Sequence, residues 1–274
     1  MNLKVSLSLF LLIVFCSLGF GQTLKTELTK EYSYNQLEQY LNPLSQAFGS
    51  SLSSGIYYNA ESHNFPHFDL GISYASTAIP SGKLAQGDSL NSPTVFGRIL
   101  DDSTRLSGLN ISAFKLPVIH FSMGIGDNTE FIFRYTYWNI EKIGKVRLLG
   151  GGIKYELENL LSISPIPVDV AILAMYQKYE IDEMLEGAVF TMNIVGSRHF
   201  GVIPFSLYGG VGYMNNTTSV NLSKDNENES YSIGGLEEIK YQLGVSYNLL
   251  FSCLYVEYNF ASYNTLNGGI RIVL

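Results

Sequence analysis

Four groups of residues in this chain have types and spacing that could do chemistry. His63 and His67 stand four apart with Asp69 close behind, a donor set that a transition metal could take. Pro66 lies between the histidines and keeps them off one helical face, so no metal is expected. The run Asp225, Asn226, Glu227, Asn228, Glu229 has the oxygen density of a calcium loop but lacks its glycine and ligand spacing. A solvated loop is the expectation there. His120 and Ser122 share one face of an alternating stretch, as a base and a hydroxyl would in a hydrolase. No acid completes the set, and no enzymatic activity and no cofactor are expected. The fourth group is Glu130, Arg134, Lys154, Glu238, Lys240, Glu257 and Arg271, each on the small or polar face of an alternating stretch. Such residues could select ions or solutes in a pore, or cross a filled lumen as a salt-bridge ladder. Their charges nearly balance, which favours the ladder.

The elements that position these residues alternate every second residue. Phe68, Leu70, Ile72 and Tyr74 form one face of the first stretch, opposite Asp69, Gly71, Ser73 and Ala75. The pattern returns in the stretches around residues 119–125, 131–137, 153–157, 168–176, 187–198, 205–213, 239–247 and 254–260. The last stretch places Leu266, Gly268, Ile270, Ile272 and Leu274 on one face, and Asn267, Gly269, Arg271 and Val273 on the other. Apolar-out and small-or-polar-in is the signature of a transmembrane barrel. Several apolar faces run unbroken over five or more positions, and the opposite faces carry charge; both features argue against a soluble sandwich. The fold class is therefore an all-β, antiparallel transmembrane β-barrel of ten strands. The 80–108 connection is long enough to hide a further hairpin, so twelve is the alternative. A final strand that pairs with the first removes the open edge. It also makes that strand the point of contact expected for the barrel-assembly machinery.

Composition bounds the setting. The chain has 19 Tyr, 16 Phe and 26 Gly against 8 Pro, which suits interfacial aromatic girdles and crowded inner positions. No stretch is long and apolar enough for a helical span. A net charge of −7 makes nucleic acid a poor partner. Lys4 and the short apolar run after it read as a signal peptide over residues 1–21, cleaved before Gln22. Cys253 is the only cysteine beyond that leader. The expected location is the outer membrane of a Gram-negative bacterium, as a monomer in contact with outer-membrane lipid. Short turns are expected on the periplasmic side near 126–129, 159–166, 199–204 and 249–250. Outer loops are expected at 80–108, 140–145, 180–187, 223–235 and 261–263.

Residues 22–64 differ from the rest, and the barrel proper is placed at 65–274. Leu37, Tyr40, Leu41, Leu44, Ala47 and Phe48 recur at helical spacing, with a kink or a helix start expected at Pro43 and a stop at Gly49 and Ser50. With Tyr57 and Asn59 beyond it, this segment reads as a plug in the lumen; a cap beneath the barrel or a mobile terminus are the alternatives. A ten-stranded barrel has little spare interior, so a plug would leave the pore closed or very narrow.

The stretch Tyr40-Leu41-Asn42-Pro43-Leu44, followed by Ser54-Gly55-Ile56-Tyr57-Tyr58-Asn59-Ala60, resembles the N-terminal motif of an uncharacterised outer-membrane barrel family known only as a domain of unknown function. Thr129-Glu130, Arg134-Tyr135, Leu149-Gly150-Gly151-Gly152-Ile153-Lys154, Pro167-Val168-Asp169-Val170 and Tyr208-Gly209-Gly210-Val211-Gly212-Tyr213 resemble later blocks of that family. The resemblance implies the fold and the location and no chemistry. A looser likeness runs to the fatty-acid transporter barrels of the outer membrane, which begin with a hatch holding an Asn and small residues ahead of the first strand. Asn59-Ala60 occupies that place, although no proline follows Asn59 and this chain has fewer strands. Two functional expectations follow. One is a narrow or gated conduit for small apolar ligands, for which Tyr57 and Tyr58 would line a cavity. The other is a closed structural or interaction barrel with a salt-bridged lumen, working through its outer loops.

Overall fold

The computed structural model describes residues 24, 34–63, 65–80, 94–97, 108–157, 168–200, 203–224 and 227–274. The leader expected at 1–21, most of the 80–108 connection and the turn at 159–166 lie outside them.

Among the described residues a helix α1 (Tyr34–Leu52) precedes ten strands: β1 (Phe68–Ala78), β2 (Ala113–Gly126), β3 (Thr129–Ile140), β4 (Gly144–Glu156), β5 (Asp169–Ile181), β6 (Leu185–His199), β7 (Phe205–Lys224), β8 (Glu227–Leu249), β9 (Ser252–Phe260) and β10 (Thr265–Val273). Each strand pairs antiparallel with its neighbour in sequence, and β1 also pairs with β10, which closes the ring. β1 is bonded to β2 on one side and β10 on the other, so no further strand can enter the ring and the twelve-strand alternative falls. Alternation produces the two faces. On β8, Ile239, Tyr241 and Leu243 are each about 60% exposed, whereas Lys240 and Gln242 are 1% exposed.

Both ends of the sheet lie at one rim, where the Phe68 N–H donates to the Leu274 carbonyl at 3.0 Å. The turn at Asp127 and Asn128 and the connections at 200–204 and 250–251 share this terminal rim. Asn128 takes a positive φ of 60°, which asparagine tolerates better than most residues. The opposite rim carries the connections 79–112, 141–143, 182–184, 225–226 and 261–264. The loop expected at 223–235 is mostly strand: pairing of β7 with β8 continues to Lys224 and Glu227. The sequence of this extension is polar and does not alternate, and it therefore reads as loop.

α1 lies inside the barrel. Tyr40, Leu41, Leu44, Phe48 and Leu52 are fully buried. The helix runs through Pro43 instead of starting near it, and it ends at Leu52, past the stop expected at Gly49 and Ser50. Gly49 serves close approach instead: a Cβ there would lie 3.0 Å from Asn216 on β7. A proline inside a helix costs about 3 kcal/mol; each large apolar side chain buried here returns about 1.5–3 kcal/mol. Phe48 stacks on Tyr179 with ring centroids 4.9 Å apart and meets Phe114 at 4.4 Å. Part of the β1–β2 connection folds back over the helix: the Val95 N–H donates to the Tyr40 carbonyl at 3.1 Å, and Val95 and Phe96 are fully buried. The half of the lumen near this rim is thus apolar, and the half near the terminal rim sets polar and charged groups beside tyrosines and a smaller apolar cluster that includes Ile132, Leu173 and Val195.

Candidate functional site: the threaded lumen

Residues 34–63 cross the barrel from rim to rim. At the start, the Tyr34 hydroxyl donates to the Ser232 carbonyl on the extended hairpin, and its ring meets Tyr231. Lower, Ser45 bonds Thr218, and Asn216 donates to the Ser45 carbonyl at 2.7 Å. At the far end, the Ala60 N–H donates to Ser197 at 2.9 Å, the Ser62 N–H to Glu156 at 2.7 Å, and the His63 N–H to Glu130 at 3.2 Å. The segment therefore enters at the hairpin rim and leaves at the terminal rim, where β1 begins. Of the plug residues named from sequence, Leu37, Tyr40, Leu41, Leu44, Phe48, Tyr57 and Asn59 are all buried in this passage. Packing against the inner wall, not beneath the barrel, is the arrangement found.

The inward charges do not form the expected ladder. Glu130 and Lys154 pair at 2.8 Å. Arg271 lies 3.5 Å from Asp69, a partner outside the expected set. The other inward charges turn to the plug. Arg134 donates to the Leu52 carbonyl at 2.7 Å, where Gln177 also donates at 2.8 Å. Lys240 donates to the Ser53 carbonyl. Glu257 accepts the Gly55 N–H at 2.9 Å. Arg271 also donates to the Ile56 carbonyl at 3.0 Å, and Lys154 to the Glu61 carbonyl at 2.6 Å. Glu238 stands apart at the hairpin rim, where it accepts the Ser262 N–H at 2.9 Å. Burial, together with the nearby Glu238 carboxylate, pushes the Tyr263 phenol up. The physical reason for the correction is that a coil inside a barrel has main-chain groups that must be satisfied. Ionised wall residues satisfy them, at charge-assisted strength.

Gly55 permits the turn beneath the helix. Its φ is +61°, and a Cβ would lie 2.4 Å from Asn267 Oδ1. Below it, Tyr57 packs on Tyr208 with centroids 5.8 Å apart, and its hydroxyl donates to Gln242. The Arg271 guanidinium lies over the ring of Tyr58 at 4.8 Å and that of Tyr255 at 5.5 Å. Tyr57 and Tyr58 are thus packed against wall tyrosines, not arranged around an open cavity.

The histidines separate. His63 lies 3.2 Å from Asp69, and His67 is exposed. Donor atoms of His63, Asp69 and Glu130 fall within 4.8 Å of one another. Both carboxylates are already matched by cations, Arg271 and Lys154, which a metal would have to displace. The cluster instead fastens the lower end of the plug to β1 and β3. His120 is buried 3.4 Å from Arg271, and its Nε2 has no partner among the described residues. Sequence reasoning missed Asp69 and Glu156 as lumen charges. Both alternate inward, and ring closure of β1 on β10 is what places Asp69 beside Arg271.

A family model described as "Family of unknown function (DUF6588)" matches residues 1–274. No curated protein matches the chain. Among solved structures the chain is similar to Neisserial surface protein A (NspA), at 10% identity and a TM-score of 0.33, over 75% of this chain and 96% of that one. It is also similar to the outer membrane protease OmpT from Escherichia coli, at 10% identity and a TM-score of 0.35, over 79% and 100%. A third is Ail, the attachment invasion locus protein of Yersinia pestis, at 13% identity and a TM-score of 0.30, over 76% and 98%. These likenesses are weak, and the fold rests on the ring closure itself.

Proposed function

This chain belongs to the family of unknown function DUF6588, and we propose that it is a monomeric outer-membrane barrel of a Gram-negative bacterium, closed at rest by its own residues 34–63 and opened as a gated conduit when that segment withdraws. The membrane reading is supported by the outward face. Leu70, Ile119, Phe133, Ile153, Val211, Leu243 and Val256 are exposed on seven different strands. A band of that extent is not tolerated in water and matches a lipid-facing girdle. Outer-membrane lipid is then its partner. Outer-membrane barrels keep short turns in the periplasm and long loops outside, which makes the terminal rim periplasmic and the hairpin rim external.

One observation carries the conduit reading: the wall's ionised groups bind the plug's main chain more than they bind each other. A core closed by wall side chains alone would pair its charges among themselves; here they hold a segment that is separable from the ring. Withdrawal of this plug instead leaves Arg134, Lys240 and Glu257 facing a channel that water can fill. That wall suits polar cargo better than the apolar ligand expected from sequence. The closed structural barrel is the second reading, favoured by the long β7–β8 hairpin projecting from the external rim.

A tether separates the two. Ser51 Oγ and Thr77 Oγ1 lie 2.6 Å apart, so Ser51→Cys with Thr77→Cys, in a Cys253→Ala background, should lock the plug to β1 on oxidation. Single-channel recording in planar bilayers is expected to show current steps that vanish on oxidation and return with reductant. Steps that persist in the oxidised form would place conduction elsewhere. Silence in both forms, from a folded barrel, would favour the structural reading.

A further inference from the structure

We infer that the lumen is a binding site for a non-helical polypeptide segment, and that residues 52–63 occupy it as a resident stand-in for a second chain. The inference names the cargo class of the conduit proposed above and rests on that reading. Its basis is what the wall recognises. Along residues 52–63, the hydrogen bonds from Arg134, Gln177, Lys240, Glu257, Arg271 and Lys154 to the segment go to main-chain carbonyls or N–H groups. Ser197, Glu156 and Glu130 accept main-chain N–H groups in the same way. Polar contacts to side chains are fewer: Asn267 to Ser54 at 3.1 Å, Gln242 to Tyr57, Asp69 to His63 at 3.2 Å and His199 to Glu61 at 3.0 Å, beside the ring contacts of Tyr57 with Tyr208 and of Tyr58 with Arg271 and Tyr255. Carbonyls and amides are common to every peptide, so a wall that reads them mostly reads main chain and less of its sequence.

Two further observations agree. Residues 52–60 contain no ionised side chain, so every charge at this level belongs to the wall. The wall also holds hydrogen-bonding capacity beyond what the segment uses: Arg134 Nη2 and Nε and Glu257 Oε2 are buried and have no partner among the described residues. Residues 52–60 are almost wholly buried, so a single chain segment fills this half of the lumen. Donors and acceptors both occur along it, and a polymer without N–H groups would leave Glu257, Ser197, Glu156 and Glu130 unmatched.

The test uses the full chain and its Gly55→Ala variant, whose loosened seat frees the site more often. A tethered segment competes at high effective concentration, so free peptide is read as occlusion of open-state current. Four probes are compared: the peptide of residues 52–63, an unrelated Gly/Ser-rich peptide of equal length, the first peptide with its amides N-methylated, and a polyethylene glycol of matched length. The two unmodified peptides are expected to occlude within about threefold of one another, and the N-methylated one at least about tenfold more weakly, given the worth of hydrogen bonds to charged groups. The glycol should not occlude. Occlusion by the native sequence alone, or by glycol and peptide equally, overturns the inference. No occlusion by either unmodified peptide overturns it as well. Absence of any open state, in the wild type at raised voltage and in the variant, defeats the conduit reading first and the inference with it.

Discussion

Arg271 on the last strand lies 3.5 Å from Asp69 on the first, both buried, across the seam that closes the barrel. The same guanidinium donates to the Ile56 carbonyl and lies over Tyr58. One residue therefore joins ring closure to the seating of the plug. Removing it leaves Asp69 buried without its cation. Breaking a buried pair from one side typically costs about 3–5 kcal/mol, whereas replacing both partners costs much less. Arg271→Met is expected to lower the temperature at which the folded form converts to the unfolded band on a gel. Asp69→Asn combined with Arg271→Met should recover much of the loss. Equal losses in the single and double variants would assign the effect to packing rather than to the pair.

Gly55 is the second point of control. Alanine there must adopt a left-handed φ and meet Asn267. Left-handed strain in a residue other than glycine costs about 1–2 kcal/mol, and overpacking adds about 1–3 kcal/mol. The strain falls on the plug, not on the strands. Gly55→Ala is expected to speed hydrogen exchange in residues 44–60 while amides of β4–β6 stay protected. Adding Asn267→Ala should reverse part of the effect by removing the clash but not the φ strain. Uniform loss of protection across the strands would show that plug and wall unfold as one unit.

Three inward tyrosines each face a glycine directly across the sheet: Tyr179 and Gly187, Tyr208 and Gly244, Tyr255 and Gly269. A Cβ on Gly244 would lie 2.2 Å from the Tyr208 ring, and one on Gly269 would lie 2.6 Å from the Tyr255 ring. Each ring occupies the space above its glycine on the next strand, covering main chain that a side chain would otherwise shield. Gly244→Ala is expected to destabilise the barrel by about 1–3 kcal/mol through overpacking, read as a lower denaturant midpoint. Tyr208→Ala should weaken it through the loss of the ring, and the two changes together should cost less than their sum. Strict additivity would mean that ring and glycine are not coupled.

The strands and the helix were legible because each carries a periodic signal that needs no partner. Lys240 and Ile239 are told apart by alternation alone, and Leu37, Leu41, Leu44 and Phe48 by helical spacing. Contacts between elements were not legible. Arg134 and Leu52 are 82 positions apart, and only register places one at the other's carbonyl. Charge balance among the wall residues suggested pairing because sequence shows side chains and hides the main-chain dipoles that compete for them. Gly49 looked like a stop because a glycine needed for close approach to Asn216 has the same letter as one that ends a helix.

The direction of the thread gives the last prediction. α1 starts at the hairpin rim beside Ser232, whereas Phe65 lies exposed just ahead of β1 at the terminal rim. Nineteen helical residues at about 1.5 Å each span about 28 Å, close to the thickness of a hydrocarbon core, so in the proposed outer-membrane setting the two ends of the passage lie on opposite sides of the bilayer. In the proposed orientation Tyr34 opens to the cell exterior. Three cysteine variants, each in the Cys253→Ala background, test this on intact cells with a maleimide too bulky to enter porins. Glu183→Cys, in the β5–β6 connection, reports the external rim. Tyr34→Cys should label together with it, and Phe65→Cys only after the outer membrane is permeabilised. If Glu183→Cys stays unlabelled while Phe65→Cys reacts, the barrel sits the other way up. If Glu183→Cys labels and Tyr34→Cys does not, the orientation holds and the thread does not reach the mouth. The three sites thus separate the orientation of the ring from the path of the chain inside it.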